Sequence, residues 1–117
     1  MMRVIKIGIL SVEEQRKRAL EIASGKRKRD NNDPIIYMPS MAAAARILSD
    51  ENMALLKIIR EQHPSSVDEL ANLVGKPQSN VSRSLHAMEP FGLVELRKSG
   101  RQVTPVVTFE HLDMALI

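Results

Sequence analysis

Gly75, Lys76 and Pro77 stand between two segments of the same helical periodicity, and no other feature constrains this 117-residue chain as tightly. Before the break, Val67, Leu70, Ala71 and Val74 recur at i, i+3, i+4 and i+7. After it, Val81, Leu85 and Met88 recur at helical spacing. Glycine ends a helix because it enters left-handed backbone without penalty, and proline starts one by its fixed φ. Ser66 followed by Glu69 is a capping-box signature at the start of the first segment, and Pro90 and Gly92 close the second. The pattern predicts two short helices, 67–74 and 78–88, joined by a tight turn, one lying across the other.

Ahead of them, Ser49 caps an expected helix from Asp50 to about Gln62, ended by His63-Pro64. Met53, Ala54, Leu55, Leu56, Ile58 and Ile59 make it apolar nearly all round, which predicts burial. Ser40 caps a shorter, alanine-rich helix. Behind the pair, residues 93–107 read as two strands around a turn at Ser99-Gly100, with Pro105 making the second an edge or bulged strand.

The front of the chain is a β-α unit. Ile5, Ile7 and Ile9 alternate over Arg3–Ile9 as in a half-buried strand, and Ser11 with Glu14 opens a helix to about Ala23. That helix has a thin apolar stripe, so it is expected at a surface. Residues 24–34 form a loop carrying the basic run Lys26–Arg29, and Ile35–Met38 read as a short strand. Leu112, Met114 and Leu116 alternate in one more strand over 111–117, which with Arg3–Ile9 is expected to pair within the chain or across a two-fold axis. These readings divide the chain into an assembly extension (1–38), a central domain (39–109) and a C-terminal strand or tail (110–117).

The charge balance is +3, but it is uneven. Residues 1–33 hold nine Lys and Arg against five acids, and residues 76–104 hold five against two. Helix 78–88 lies in the second excess. Its polar face carries Gln78, Ser79, Asn80, Ser82, Arg83 and His86 and no acid. A merely solvated helix would display Glu and Lys. Short donors and acceptors are what reading base edges requires: Asn and Gln grip adenine, Arg grips guanine, and Ser bonds either an edge or a phosphate. Helix, short helix, turn, helix and hairpin in that order is the layout of an α+β winged helix-turn-helix, with the third helix in the major groove and the hairpin, carrying Lys98 and Arg101, at the flanks.

The stretch from Ser66 to Arg101 also resembles the DNA-binding core of MarR/ArsR-type winged-helix transcriptional regulators. The matching pieces are "ELA" with Leu70, the Gly75 turn, "VSRSL" at Val81–Leu85, and "GLVEL" leading to Gly100-Arg101. The whole chain is similar to small prokaryotic regulators with a short β-α extension, some of them antitoxin-like. The resemblance implies a homodimeric, cytoplasmic repressor of transcription on double-stranded DNA. Two positions depart from the pattern: Pro77 cannot supply a capping oxygen, and Pro90 should shorten the recognition helix.

Other functions find less support. With no cysteine, thiolate metal sites and cysteine nucleophiles are excluded. Aromatics at 3% argue against a stacking platform for single strands. The acid pairs Glu13-Glu14, Asp50-Glu51 and Asp68-Glu69 sit where they complement helix dipoles, His63, His86 and His111 lack ligand spacing, and no phosphate loop occurs. No enzyme, cofactor, metal site or membrane segment is expected. The alternative is an antitoxin-like or other protein-interaction module that binds a toxin or another partner protein, for which the N-terminal strand offers one route by adding to a partner's sheet edge.

Overall fold

A computed structural model of the chain describes residues 3–30 and 33–115. The alternation of Ile5, Ile7 and Ile9 does form a strand, β1 (Val4–Ile9), and β1 is the middle strand of its sheet. It pairs in parallel with β2 (Ile36–Met38) on one side and with β5 (His111–Ala115) on the other. Parallel neighbours need a crossover, and the one to β2 carries α1 (Val12–Ala23). The two spare strands therefore pair with each other inside one chain. β1 is flanked by β5 along Val4–Gly8 and by β2 along Ile7–Ile9, so little of its edge is left to add to a partner's sheet. Leu116 and Ile117, included in the expected last strand, lie outside the described residues.

α1 begins with a complete capping box: Ser11 Oγ accepts from the Glu14 amide at 3.1 Å, and the Glu14 carboxylate answers the Ser11 amide. As its thin stripe foretold, it buries no residue. Polar ties hold it instead. Arg18 pairs with Asp33 at 2.7 Å and lies 5.4 Å from the Tyr37 ring centroid. Gln15 donates to the Leu10 carbonyl at 2.8 Å. On the sheet, Ile5, Ile7 and Met38 are buried, and α2 (Met41–Ile47), capped by Ser40, buries Ala43 and Ala44.

The chain separates into two compact units. One holds the residues up to Arg46 together with those from Phe109 on; the other runs from Ile47 to Thr108. The expected C-terminal tail thus belongs with the N-terminal sheet, because β5 finds its hydrogen-bonding partner there.

The second unit contains α3 (Asp50–Gln62), α4 (Val67–Val74), α5 (Gln78–Met88), one 3-10 turn over Glu89–Phe91, and an antiparallel hairpin of β3 (Glu95–Ser99) and β4 (Gln102–Val106). α4 packs on α5 and on β4, and β4 also packs on α3. Their common core is Leu55, Leu56, Ile59, Leu70, Leu85, Met88, Leu93 and Val94. α3 differs from expectation. It buries one face through Asn52, Leu55, Leu56 and Ile59, while Met53 and Ala54 stay exposed. Pro105 pairs with Leu96 without a bulge, as an edge position permits. Among the described residues no helix is long and apolar enough to cross a membrane.

Candidate nucleic-acid interface

α5 owes its orientation to three side chains. Val81, Leu85 and Met88 are buried, so the rest of the helix is turned outward. Gln78, Ser79, Asn80, Arg83 and His86 are exposed as predicted, but Ser82 is half-buried. A helix advances 100° per residue, which splits the polar face into rows. Gln78, Ser82 and His86 form the row beside the core. Ser79 and Arg83 point most directly away from it, with Asn80 on the opposite flank.

The helix begins at Pro77, which makes no side-chain cap bond, and no acid occupies the first turn. At its end the 3-10 turn carries Pro90, so the helix stops at Met88 as expected. His86 folds back along α5: its Nδ1 lies 2.8 Å from the Ser82 carbonyl and 3.4 Å from Ser82 Oγ.

The hairpin stands beside the first row. Its turn falls one residue later than predicted: Ser99 pairs with Gln102, leaving Gly100 and Arg101 as a two-residue loop. Gly100 takes the positive φ that such a loop demands at its first position. Arg101 is therefore in the tip itself. Lys98 is exposed on β3, two residues beyond Leu96 on the same strand face. Arg97 is turned the other way and binds Glu95 at 2.9 Å.

Between α5, the start of α4 and the hairpin lies a groove of about 380 Å³. Gln78, Ser82, His86 and Arg101 line it; Ser79, Asn80, Arg83 and Lys98 do not. The eight predicted residues thus fall into a groove set and an outer set. Asp68 is the one acid among the described residues that line the groove.

The sequence reading missed Ser66, Asp68 and Gln102 as groove residues. It also missed what holds the hairpin in place. Gln102 Nε2 and Thr104 Oγ1 both donate to the Ser65 carbonyl, at 2.9 and 2.7 Å. Gln102 and Thr104 are two apart on one strand and so share a face, which was the available signal. The capping box at Ser66 is altered as well. Ser66 Oγ accepts from the Glu69 amide at 3.0 Å, but the Glu69 carboxylate turns to the Ser65 amide and hydroxyl. Those bonds hold the Glu69 carboxyl below its ordinary range, the hydroxyl contributing most.

The side chains of Arg83, Lys98 and Arg101 make no ion pair or hydrogen bond among the described residues. In the Lys26–Arg29 run all four residues are exposed, and Arg27 is tied to Glu21 at 3.1 Å. Among the described residues no three His, Asp or Glu side chains are placed to hold a metal ion.

The sequence profile of the HVO_A0114 family matches residues 47–114, more than half of the chain. The chain belongs to the HVO_A0114 family. The matched segment contains all of α3, α4, α5 and the hairpin, and most of β5. The family region therefore includes every residue of the candidate interface and reaches into the N-terminal sheet. No curated protein matches the chain.

Proposed function

We propose that this HVO_A0114-family protein is a winged helix-turn-helix regulator of transcription that binds double-stranded DNA as a homodimer in the cytoplasm. α5 is the recognition helix and the β3–β4 hairpin the wing. The observation that carries the reading is the outer row of α5: Arg83 exposed, unpaired among the described residues, flanked by Ser79 and Asn80, on a helix with no acid in its first turn. Arg18 and Arg27, by contrast, are engaged by Asp33 and Glu21 of their own chain. A short polar helix of this composition has the donors and acceptors that major-groove edges present.

The parts divide the work. Arg83 reads a base edge or a phosphate at the centre of the contact. Arg101 and Lys98 meet the flanking backbone, and a tip arginine also fits a narrow minor groove. The core behind α5 fixes its pitch. Asp68, which lines the groove, disfavours phosphates there, so the backbone is met at the hairpin tip and along α5. The exposed Lys26, Lys28 and Arg29 add a sequence-independent attraction for phosphates.

Fluorescence anisotropy with labelled DNA from upstream of the protein's own gene, against a scrambled duplex of equal length, tests the reading. Preferential binding that Arg83→Ala weakens is expected. Equal, salt-abolished binding to both duplexes, unaffected by Arg83→Ala, sinks it in favour of the protein-interaction alternative.

A further inference from the structure

The three-stranded sheet has two edges, and they differ. β2 is three residues long and lies between Pro34 and Pro39, a guarded edge that resists further pairing. β5 is five residues long and contains no proline. No strand pairs with its far side among the described residues.

The backbone groups available on that far side follow from the register. The Leu10 amide donates to the Met38 carbonyl at 3.0 Å, so even-numbered positions of β1 bond β2 and odd-numbered ones bond β5. The His111 amide accordingly reaches the Arg3 carbonyl at 3.4 Å. His111 and Asp113 are thus turned toward β1, and Leu112 presents its N–H and C=O outward.

We propose that β5 is the homodimer interface: two copies pair β5 with β5, antiparallel, across a two-fold axis through Leu112. The inference rests on the reading of the protein as a paired DNA-binding regulator for its purpose, and on the sheet for its geometry. The occupant is a second copy because the polar side chains of β5 are self-complementary in this register, an imidazole donor facing a carboxylate acceptor. Antiparallel pairing that matches both faces and outward backbone groups must centre on a residue. A centre at His111 sets that histidine against its own copy, and a centre at Asp113 sets carboxylate against carboxylate. A centre at Leu112 sets His111 opposite Asp113 of the partner subunit, and Asp113 opposite His111 of the partner subunit. The two Leu112 residues exchange backbone hydrogen bonds, and the flanking His–Asp pairs become non-hydrogen-bonded pairs, where side chains come closest. Within each chain Asp113 already stands beside Lys6 in register, so Lys6, Asp113 and His111 of the partner subunit form one row across the joined sheet. His111 and Asp113 are exposed and able to meet. On the opposite face, Met114, exposed on the lone chain, lies next to the new seam.

Sedimentation velocity on the full chain without DNA tests this. Wild type is expected to dimerise in the micromolar range. His111→Asp sets carboxylate against carboxylate, and Asp113→His sets imidazole against imidazole; each should weaken the dimer roughly tenfold or more. The double swap His111→Asp/Asp113→His restores an imidazole opposite each carboxylate and should recover most of the affinity. Leu112→Pro removes an outward N–H without touching the β1 ladder, so it should yield a folded monomer, with folding checked by thermal melting. A wild-type monomer at about 100 μM, a dimer indifferent to the single swaps, or no recovery in the double swap overturns the interface. If Leu112→Pro unfolds, the swap series decides alone. The DNA reading fails separately: a dimer with these responses that binds no DNA refutes that reading and leaves the interface, and a monomer that still selects its own upstream DNA does the reverse.

Discussion

Thr104 Oγ1 donates to the carbonyl of Ser65 across 2.7 Å, joining residues 39 positions apart. Ser65 immediately precedes the cap of α4, so this bond locks the hairpin against the helix pair. Thr104→Val keeps the shape and removes the donor. It should cost about 1 kcal/mol in urea unfolding, because Gln102 still satisfies the Ser65 carbonyl. Adding Gln102→Ala leaves that carbonyl without a protein donor and should cost more than the two single losses combined. Both variants should weaken DNA binding without altering base preference.

Arg83 and Arg101 are expected to fail in different ways. Arg83→Ala should cost roughly 1–3 kcal/mol of binding and relax preference at one position of each half-site, if it contacts a base. Arg101→Ala should weaken binding to most sequences alike and lower the salt dependence by about one phosphate contact. A randomised duplex library read at fixed salt, with a salt titration, separates them. No effect from either substitution would remove α5 from any role on DNA.

Pro77 starts α5 without a side-chain cap. Comparing Pro77→Ser with Pro77→Ala isolates the missing bond, because both lose the proline ring. The serine variant should be the more stable by about 1 kcal/mol. Equal melting temperatures would mean that the first-turn amides of α5 are already satisfied by solvent.

Gly8 lies where the sheet meets the chain leading into β2. A Cβ there would stand 2.8 Å from Pro34 Cγ and 2.9 Å from Tyr37 Cε1. Gly8→Ala should therefore destabilise the protein by about 1–3 kcal/mol, since a proline ring gives way poorly. The loss should appear in unfolding midpoints.

Among the described residues, the carboxyls of Asp33 and Glu69 have pKa values below their ordinary range. Asp33 is lowered chiefly by the Asp30 amide and then by Arg18, and Glu69 by the Ser65 hydroxyl and amide. A depressed pKa adds stability above the unfolded value and loses it as pH falls through the folded one. The contribution is thus full above their ordinary values of 3.8 and 4.5 and fades below them. Replacing both, as Asp33→Asn and Glu69→Gln, should flatten the fall in stability as pH drops below their ordinary values. An unchanged acid limb would show that other carboxylates carry it.

The sequence alone determined the element order and which face of α5 is apolar. Ser11, Ser40, Ser49 and Ser66 cap their helices because the cap and its amide lie within one turn. Val81, Leu85 and Met88 turn inward because 3.6-residue periodicity is local. Interactions spanning a few residues are encoded in those residues. What the tertiary structure decided depends on which distant surfaces meet. β5 lies beside β1 across a hundred positions, and alternation within 111–117 is equally consistent with pairing to a second chain. Glu69 turned from Ser66 to Ser65, a choice between two acceptable donors one residue apart. Met88 is buried while Met53 and Met114 are exposed, although all three occupy apolar positions. An apolar position states that a side chain gains by burial, but packing supplies the neighbour that buries it.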